Sequence, residues 1–207
     1  MTSSLTVERV PTKILGALVA AGLSALAFTN QARAEAVTFD LDPVHTTVAF
    51  WVDHVGYART LGWFTEVSGS FDYDTETDTI SNLRAIVNPA SIFTNDERRD
   101  NHVRSADFLN ANTFPEIIFT ASEGTVTGED VGVVTGELTL LGSTQPVALE
   151  VRLNKDEAYP FGHGKRTLGV SAEGSVNRSD FGMSYGLGGL VGDEVTIMIE
   201  VEAIARD

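Results

Sequence analysis

The sequence predicts an all-β fold, an antiparallel barrel of about eight strands with one added α-helix. Apolar and polar residues alternate with a period of two through most of the chain after residue 35, which is typical of strands with one face on an apolar interior. The gaps between the alternating segments are short and turn-like, which favours hairpins over long crossover connections. Closing such a sheet on itself removes its exposed edges.

The first alternating segment, residues 46–54, predicts a strand with one apolar face. Val48, Phe50, Val52 and His54 fall on the same face because successive side chains of a strand point to opposite sides. That face carries a single polar group, His54, at its end. We therefore expect it to border an apolar interior.

Seven further segments show the same alternation and predict the remaining strands. Short turn-like gaps such as DTETD, TGED and GST separate several of them, which indicates a meander of hairpins. In chain order the segments are WFTEVSGSFDYD, TISNLRAIV, EIIFTASEGTV, GVVTGELTLLG, QPVALEVRLN, TLGVSAEGSV and EVTIMIEVEAIA.

One segment departs from the alternation and predicts the helix. Residues 94–110 are polar and contain neither glycine nor proline. Thr94 and Glu97 have the spacing of a capping box, in which each side chain bonds a free backbone N–H of the first turn. Ion pairs at three- and four-residue spacing would support this helix, namely Asp96 with Arg99 and Asp100 with Arg104.

The N-terminal segment, residues 1–34, has the organisation of a secretory signal peptide. Arg9 and Lys13 precede an apolar stretch at residues 14–28, and a small-x-small cleavage box follows at residues 32–34. A transmembrane anchor is the alternative, but fifteen apolar residues fall short of the roughly 20 that a span requires. We therefore expect export to the periplasm.

The chain is strongly acidic, with a formal net charge of −15. Residues 1–34 contain three basic residues and one acidic residue, so residues 35–207 carry −17. This charge repels nucleic acid and anionic lipid surfaces at long range, and we expect no nucleic-acid partner. The chain has no cysteine, which excludes thiol catalysis and thiolate metal sites. Residues 35–207 are expected to form one domain that is stable without disulfides.

The motifs of common catalytic and metal sites are missing from the sequence. His45, His54, His102 and His163 lack the spacings of a zinc site, and no Gly-x-Ser-x-Gly nucleophile elbow occurs. The glycine-rich segment at residues 186–192 fits neither a dinucleotide-binding loop nor a P-loop, and we interpret it as a loop at the barrel mouth. We expect no metal and no cofactor.

Basic residues are concentrated in the predicted helix, which contains Arg98, Arg99, His102 and Arg104. Two interpretations remain open at this point. The arginines form ordinary helix ion pairs, or they make a polar end that receives a ligand head group. Two roles are also open for the ten phenylalanines after residue 35: they either fill a barrel or line a cavity.

Four segments in order resemble successive blocks of the YceI-like family, the lipocalin-like polyisoprenoid-binding proteins. They contain the motifs D-P-x-H, H-x-G, R-D-x-H, F-P-x-I-x-F, G-x-L-T-L-x-G and N-R-S-D-F-G, and the resemblance covers essentially all of residues 35–207. The segments are DPVHTTVAFWVDHVGYARTLGWFTEVSGSFDYD, ASIFTNDERRDNHVRSADFLNANTFPEIIFTA, VTGELTLLGSTQPVALEV and GVSAEGSVNRSDFGMSY.

The resemblance implies an extended lipocalin-like antiparallel barrel in the periplasm, with an interior tunnel. The tunnel would hold a long amphiphile such as an isoprenoid quinone, a polyprenyl phosphate or a fatty amide, without established catalysis. His54 and Arg98 are then candidates for a polar stop at the end of an apolar wall. The predicted ligand-binding residues are Val48, Phe50, Val52, His54, Phe64, Phe71, Phe93, Arg98, His102, Phe108, Phe119 and Phe181.

Three functional hypotheses follow, and a lipid-binding carrier that is not an enzyme is the first. The second is an enzyme acting on an isoprenoid through His54, Arg98, Asp100, His102 and Asp180, which requires titratable groups close together in a cavity. The third is a stress-response or interaction module whose barrel is a filled core. A homodimer and a transient inner-membrane partner are both compatible with the sequence.

Overall fold

The computed structural model describes residues 36–207, and the predicted signal peptide of residues 1–34 lies outside them. Within this part of the chain, no helix has the length and apolar composition needed to cross a membrane. Two short 3-10 helices, Pro89–Ser91 and Arg178–Phe181, accompany the main elements. These elements are β1 Val37–Leu41, β2 Thr47–His54, β3 Ala58–Phe64, β4 Val67–Asp74, β5 Thr79–Val87, β6 Ile92–Phe93, α1 Glu97–Arg104, β7 Ile117–Gly128, β8 Val131–Leu140, β9 Ser143–Ala158, β10 Arg166–Asn177 and β11 Val191–Ala205.

Eight strands form a closed antiparallel ring in the order β1-β4-β5-β7-β8-β9-β10-β11, and the pairing of β1 with β11 completes it. The long strand β11 has β1 beside its C-terminal end, where Phe39 pairs with Ala205. Along the rest of its length it pairs with β2, where Val48 lies opposite Ile199. β2, β3 and β6 extend the sheet from there. The predicted all-β barrel of about eight strands with one α-helix is confirmed for the described residues.

The alternating pattern missed β1 and β6 and merged β3 with β4. The merged segment divides at Thr65 and Glu66, because both residues turn toward the 3-10 helix instead of continuing a strand. The backbone N–H of Thr65 donates to the carbonyl of Ser91, at 3.2 Å, and that of Glu66 donates to the Ser91 hydroxyl, at 3.1 Å. These bonds depend on Ser91, which is 26 positions from Thr65 and 25 from Glu66, so the local pattern contains no sign of them.

The hairpin between β8 and β9 shows why the G-x-L-T-L-x-G segment ends in glycine. Leu141 and Gly142 have φ values of 53° and 76°, and two-residue hairpin loops of this left-handed kind match the twist of the strands. A side chain at Gly142 would also meet the Phe114 ring at 2.9 Å. The glycine therefore serves both the turn and the packing beneath it.

Helix α1 is shorter than predicted, and the predicted capping box is wrong. The N-cap is Asp96, whose carboxylate accepts a hydrogen bond from the Arg99 backbone N–H at 2.8 Å. The Thr94 hydroxyl instead donates to the buried carboxylate of Asp100 at 2.6 Å, and the Thr94 backbone N–H donates to the same oxygen at 2.7 Å. Asp100 thus draws Thr94 away from the helix end.

The predicted helix ion pairs are also absent from the described residues. The Arg99 guanidinium donates to the hydroxyl and the carbonyl of Thr94. The Arg104 guanidinium donates to the carbonyls of Ala90 and Ile92, at 2.8 and 3.0 Å. Both arginines therefore attach α1 to the chain before it, instead of pairing with carboxylates along the helix.

One end of the barrel is closed by a compact apolar cluster. The rings of Phe39 and Phe71 stack with their centroids 5.7 Å apart, and the guanidinium of Arg166 lies over Phe39 while it pairs with Asp156 at 2.5 Å. Burial, followed by the hydrogen bond to a carboxylate, raises the pKa of Tyr73 to about 12. The buried members of this end cluster are Phe39, Phe71, Tyr73, Leu168 and Ala203.

We expect the substitution Gly136→Ala to destabilise the barrel by about 1–3 kcal/mol, because the added carbon overpacks a filled site. A Cβ at Gly136 would lie 2.4 Å from the carbonyl oxygen of Thr120 and 2.5 Å from the Phe119 ring. The matched control is Gly169→Ala, where the nearest atom is 3.8 Å away. Urea denaturation measures both, and equal losses in the two variants would contradict this packing.

Candidate ligand-binding cavity

The barrel encloses a cavity of about 870 Å³ beyond the end cluster. Its volume lies toward the upper end of the range of roughly 300–1,000 Å³ that is usual for small-molecule sites. The wall is built mainly of aliphatic and phenylalanine side chains. Those contributed by the strands include Val48, Phe50, Val52, Phe64, Val134, Leu149, Val170, Ile197 and Ile199.

The strand register explains why this wall is continuous. Val52, Phe50 and Val48 of β2 lie opposite Val195, Ile197 and Ile199 of β11, respectively, and all six side chains line the cavity. In both strands every second side chain points inward, so each of these three cross-strand pairs places two apolar side chains on the cavity wall. These side chains are only partly buried, since the cavity leaves their inner surfaces uncovered.

The cavity opens at the end where β2 meets the loop before β11. Val55, Tyr185 and Leu190 line it and are 40%, 43% and 57% exposed, respectively. The backbone N–H of Val55 donates to the carbonyl of Leu190 at 3.0 Å, which joins the two sides of the opening. His54 lines the same end and is exposed. We call this region the mouth.

A buried arginine supports the loop at the mouth. Arg178 is 2% exposed, and its guanidinium donates to the carbonyls of Met183, Val191 and Gly192 at 2.7–2.9 Å. Burial lowers the pKa of Arg178, since the charge is removed from water, while Asp193 acts in the opposite direction. Sequence reasoning did not place Arg178 among the site residues.

Three rings and several polar groups form one side of the mouth. His102, Phe108 and Tyr185 contact each other edge to face, with centroids 5.0–5.2 Å apart. His102 Nε2 lies 2.9 Å from the carboxylate of Asp107. Arg98 lines the cavity from α1 and is exposed. The mouth therefore combines an aromatic surface with groups that can bind a polar head.

Ten of the twelve predicted ligand-binding residues line the cavity, and their contact with a ligand stays a prediction. They are Val48, Phe50, Val52, His54, Phe64, Phe71, Arg98, His102, Phe108 and Phe119.

The structure places the other two predicted residues, Phe93 and Phe181, away from the cavity lining. Phe93 belongs to the two-residue strand β6 and is 39% exposed, and its ring lies against Trp63 with centroids 4.7 Å apart. Phe181 is 4% exposed and packs in a core cluster with Phe64 and Met183. A strand of two residues has too little alternation to indicate which face is inward.

Sequence reasoning also missed much of the wall that β8–β11 contribute. Val134, Leu149, Val170 and Ile197 all lie within segments correctly predicted as strands. Their alternation was the available signal, because each belongs to the apolar set of its strand. The prediction named aliphatic residues only in the first strand segment, Val48 and Val52, and relied on phenylalanines in the later strands, so these four were left out.

The five residues of the enzyme hypothesis do not converge on the cavity. His54, Arg98 and His102 line it, whereas Asp100 and Asp180 do not. The Asp100 carboxylate accepts both Thr94 donors, and Asp180 is exposed. No hydrogen bond or ion pair joins any two of these five residues, so the set lacks the adjacent titratable pair that this hypothesis required, and His102 instead lies beside Asp107.

Asp42, His45 and Glu202 are the one group of potential metal ligands that the described residues bring together. Their ligand atoms lie within 4.8 Å of one another. His45 Nδ1 is 2.7 Å from Asp42 and 3.7 Å from Glu202; His45 is exposed, and the two carboxylates are partly buried. The spacing analysis did not foresee this trio, and the expectation that the protein holds no metal stays a prediction.

The closed antiparallel ring and its open apolar interior define a lipocalin-like barrel with a binding cavity. A model of the YceI-like domain matches residues 39–203. The chain belongs to the YceI-like family, as the sequence motifs predicted.

Relatives extend over nearly the whole chain. Protein YceI of Salmonella arizonae is 36% identical over 185 residues, which cover 89% of this chain and 95% of that protein. A UPF0312 protein of Pectobacterium carotovorum is 34% identical over 184 residues, covering 89% of this chain and 94% of its own length.

Solved structures share the fold. BcnA of Burkholderia cenocepacia has a TM-score of 0.70 at 22% identity, covering 78% of this chain and 98% of that one. The YceI protein of Campylobacter jejuni has a TM-score of 0.66 at 27% identity, covering 75% and 90%. A polyisoprenoid binding domain from Saccharophagus degradans, implicated in plant cell wall breakdown, has a TM-score of 0.62 at 17% identity, covering 82% and 99%.

We expect Arg178→Met to destabilise the protein by about 3 kcal/mol, because three carbonyls, of Met183, Val191 and Gly192, lose their donor. In the same variant, hydrogen exchange of the backbone amides in residues 183–192 should be faster than in the wild type. Arg98→Met is the matched control, since Arg98 is exposed and has no hydrogen-bond partner among residues 36–207. Unchanged exchange in the Arg178 variant would contradict the supporting role.

The hydrogen bond that His45 donates to the Asp42 carboxylate raises the pKa of His45, so its charged form is favoured in the fold. The stabilisation is present at low pH and is lost as the pH rises through that pKa. We expect Asp42→Asn to lower the pKa of His45, and Glu202→Gln to lower it less because Glu202 is farther away. NMR titration measures both, and an unchanged His45 titration in Asp42→Asn would refute the assignment.

Proposed function

We propose that this protein is a periplasmic carrier that holds a long-chain isoprenoid or related amphiphilic lipid in its barrel. The observation that carries the proposal is the apolar cavity of about 870 Å³ with one open end. Its walls suit a hydrocarbon chain, and its mouth has groups that suit a polar head. A quinone, a polyprenyl phosphate or a fatty amide meets this description.

The magnitudes are consistent with a hydrocarbon ligand. A methylene-sized group takes up about the volume of a water molecule, ~30 Å³, so the cavity has room for on the order of 30 such groups. Burial of ~20 chain carbons at ~0.8 kcal/mol each contributes about 16 kcal/mol before ordering costs are subtracted. Hydrophobic contact therefore suffices for affinity, and the mouth residues select the head group and the direction of entry.

The comparisons supply further support for an isoprenoid ligand. The Saccharophagus degradans protein of similar fold is described as a polyisoprenoid binding domain. The proposed periplasmic location rests on the signal-like segment of residues 1–34 and is tested by osmotic-shock fractionation of expressing bacteria.

The two alternative functions receive less support. The enzyme hypothesis lacks converging catalytic groups, since Asp100 and Asp180 lie outside the cavity lining. An interaction module with a filled barrel is disfavoured by the size of the cavity. Native mass spectrometry of the intact protein would report the ligand mass and any homodimer together.

We expect protein purified from bacteria to carry a lipid that organic extraction releases and mass spectrometry identifies. Ala172→Phe should lower the recovered lipid at least about tenfold, since the ring displaces about six methylene-sized groups worth ~0.8 kcal/mol each. Ala172 lines the cavity and is 8% exposed.

The matched control is Ala158→Phe, because Ala158 is exposed and lies outside the cavity lining. Circular dichroism establishes that both variants fold. Repeated recovery of lipid-free wild-type protein would refute the carrier function, as would equal lipid content in the two variants.

A further inference from the structure

Thr46 has the only buried side-chain nitrogen or oxygen within residues 36–207 that lacks a hydrogen-bond partner. The residue is 7% exposed and lines the cavity. Other buried polar side chains here are satisfied by the protein: the Thr94 hydroxyl donates to Asp100, and Arg178 donates to three carbonyls. The exception therefore lies on the cavity wall.

Thr46 is at the end of the cavity opposite the mouth. It directly precedes β2, whose last residue is His54, so the two are separated by roughly 26 Å at ~3.3 Å per residue. Thr46 lies two residues before Val48, so the alternation along the strand places its side chain on the same face as those of Val48 and Phe50, which line the cavity. Leu41 and Val48, which precede and follow Thr46 in the chain and line the same cavity, are apolar and pack against a core cluster.

A buried hydroxyl without a partner costs free energy, because it has lost its hydrogen bonds to water. The Thr46 hydroxyl is itself buried, so a molecule in the cavity supplies its missing partner when the side chain rotates and turns the hydroxyl toward the cavity. A hydroxyl offers one donor and two acceptor lone pairs, so it suits a carbonyl, a hydroxyl or an amide equally. Burying an ionised group costs more free energy than burying a neutral one, so an uncharged partner is the less costly choice.

We propose that Thr46 is a ligand-contacting residue that binds an uncharged hydrogen-bonding group of the cargo at the inner end of the cavity. This inference rests on the proposed carrier function and adds a chemical class to it. The cargo carries a polar atom about one strand length inside the mouth, in addition to its apolar chain. A pure hydrocarbon tail would leave the Thr46 hydroxyl without a partner.

The test compares straight-chain α,ω-diols of about 18 to 22 carbons with the primary alcohols of the same length, bound to delipidated protein and quantified by native mass spectrometry. A diol places a hydroxyl at the inner end in either orientation. We expect Thr46→Val, which keeps the shape and removes the hydroxyl, to reduce the diol-to-alcohol affinity ratio roughly tenfold.

Two control variants separate this effect from general changes in the wall. Thr46→Ser keeps the hydroxyl and should keep the wild-type ratio. Thr60→Val removes a hydroxyl elsewhere in the lining and should also leave the ratio unchanged. The unfolding midpoint of ligand-free Thr46→Val should rise, because a desolvated polar group is removed.

A diol-to-alcohol ratio that is the same in wild type and Thr46→Val overturns the proposal, whatever the unfolding midpoints show. In that case the alcohols and diols still bind, and the carrier function stands. If neither class of probe binds any of the four proteins, the carrier function itself fails together with the role of Thr46.

Discussion

The pairing of β1 with β11 is the interaction on which the rest of the structure depends. Without it the sheet would remain open, and the apolar faces of β2 and β11 would be exposed to water. A ring of eight strands is wide enough either to be filled by its own side chains or to hold one small ligand. Here aromatic side chains fill one end, around Phe39 and Phe71, and mostly branched aliphatic residues leave the remainder hollow.

The hollow is compatible with a stable fold because nearly every buried polar group around it is satisfied within the protein. Asp100 accepts from Thr94, and Arg178 donates to three carbonyls of the mouth loop. Each of these buried charged side chains makes several hydrogen bonds to neutral groups, which offset the cost of removing it from water. Backbone pairing and local hydrogen bonds therefore maintain the shape of the barrel, and its interior does not have to be filled by side chains.

The sequence allowed the fold and the inward face of β2 to be predicted because alternation along a strand is a local signal. Val48, Phe50 and Val52 line the cavity as that signal indicated. Features that depend on distant partners were missed. The Thr94–Glu97 capping box failed because Asp100 holds Thr94, and the N–H of Glu66 bonds a residue far along the chain. Burial of Arg178 has no local signature, so its place at the mouth emerged only from the structure.

Strand β11 belongs at once to the cavity wall and to the seam that closes the ring. Widening the barrel to admit a guest would break this seam, so passage is confined to the mouth. There the hairpin of Val55 and the loop of Leu190 are joined by a backbone hydrogen bond. For the proposed carrier, the rate of cargo exchange therefore depends on the mouth loops, and residence time can change through loop residues while the strand pairing that closes the ring stays the same.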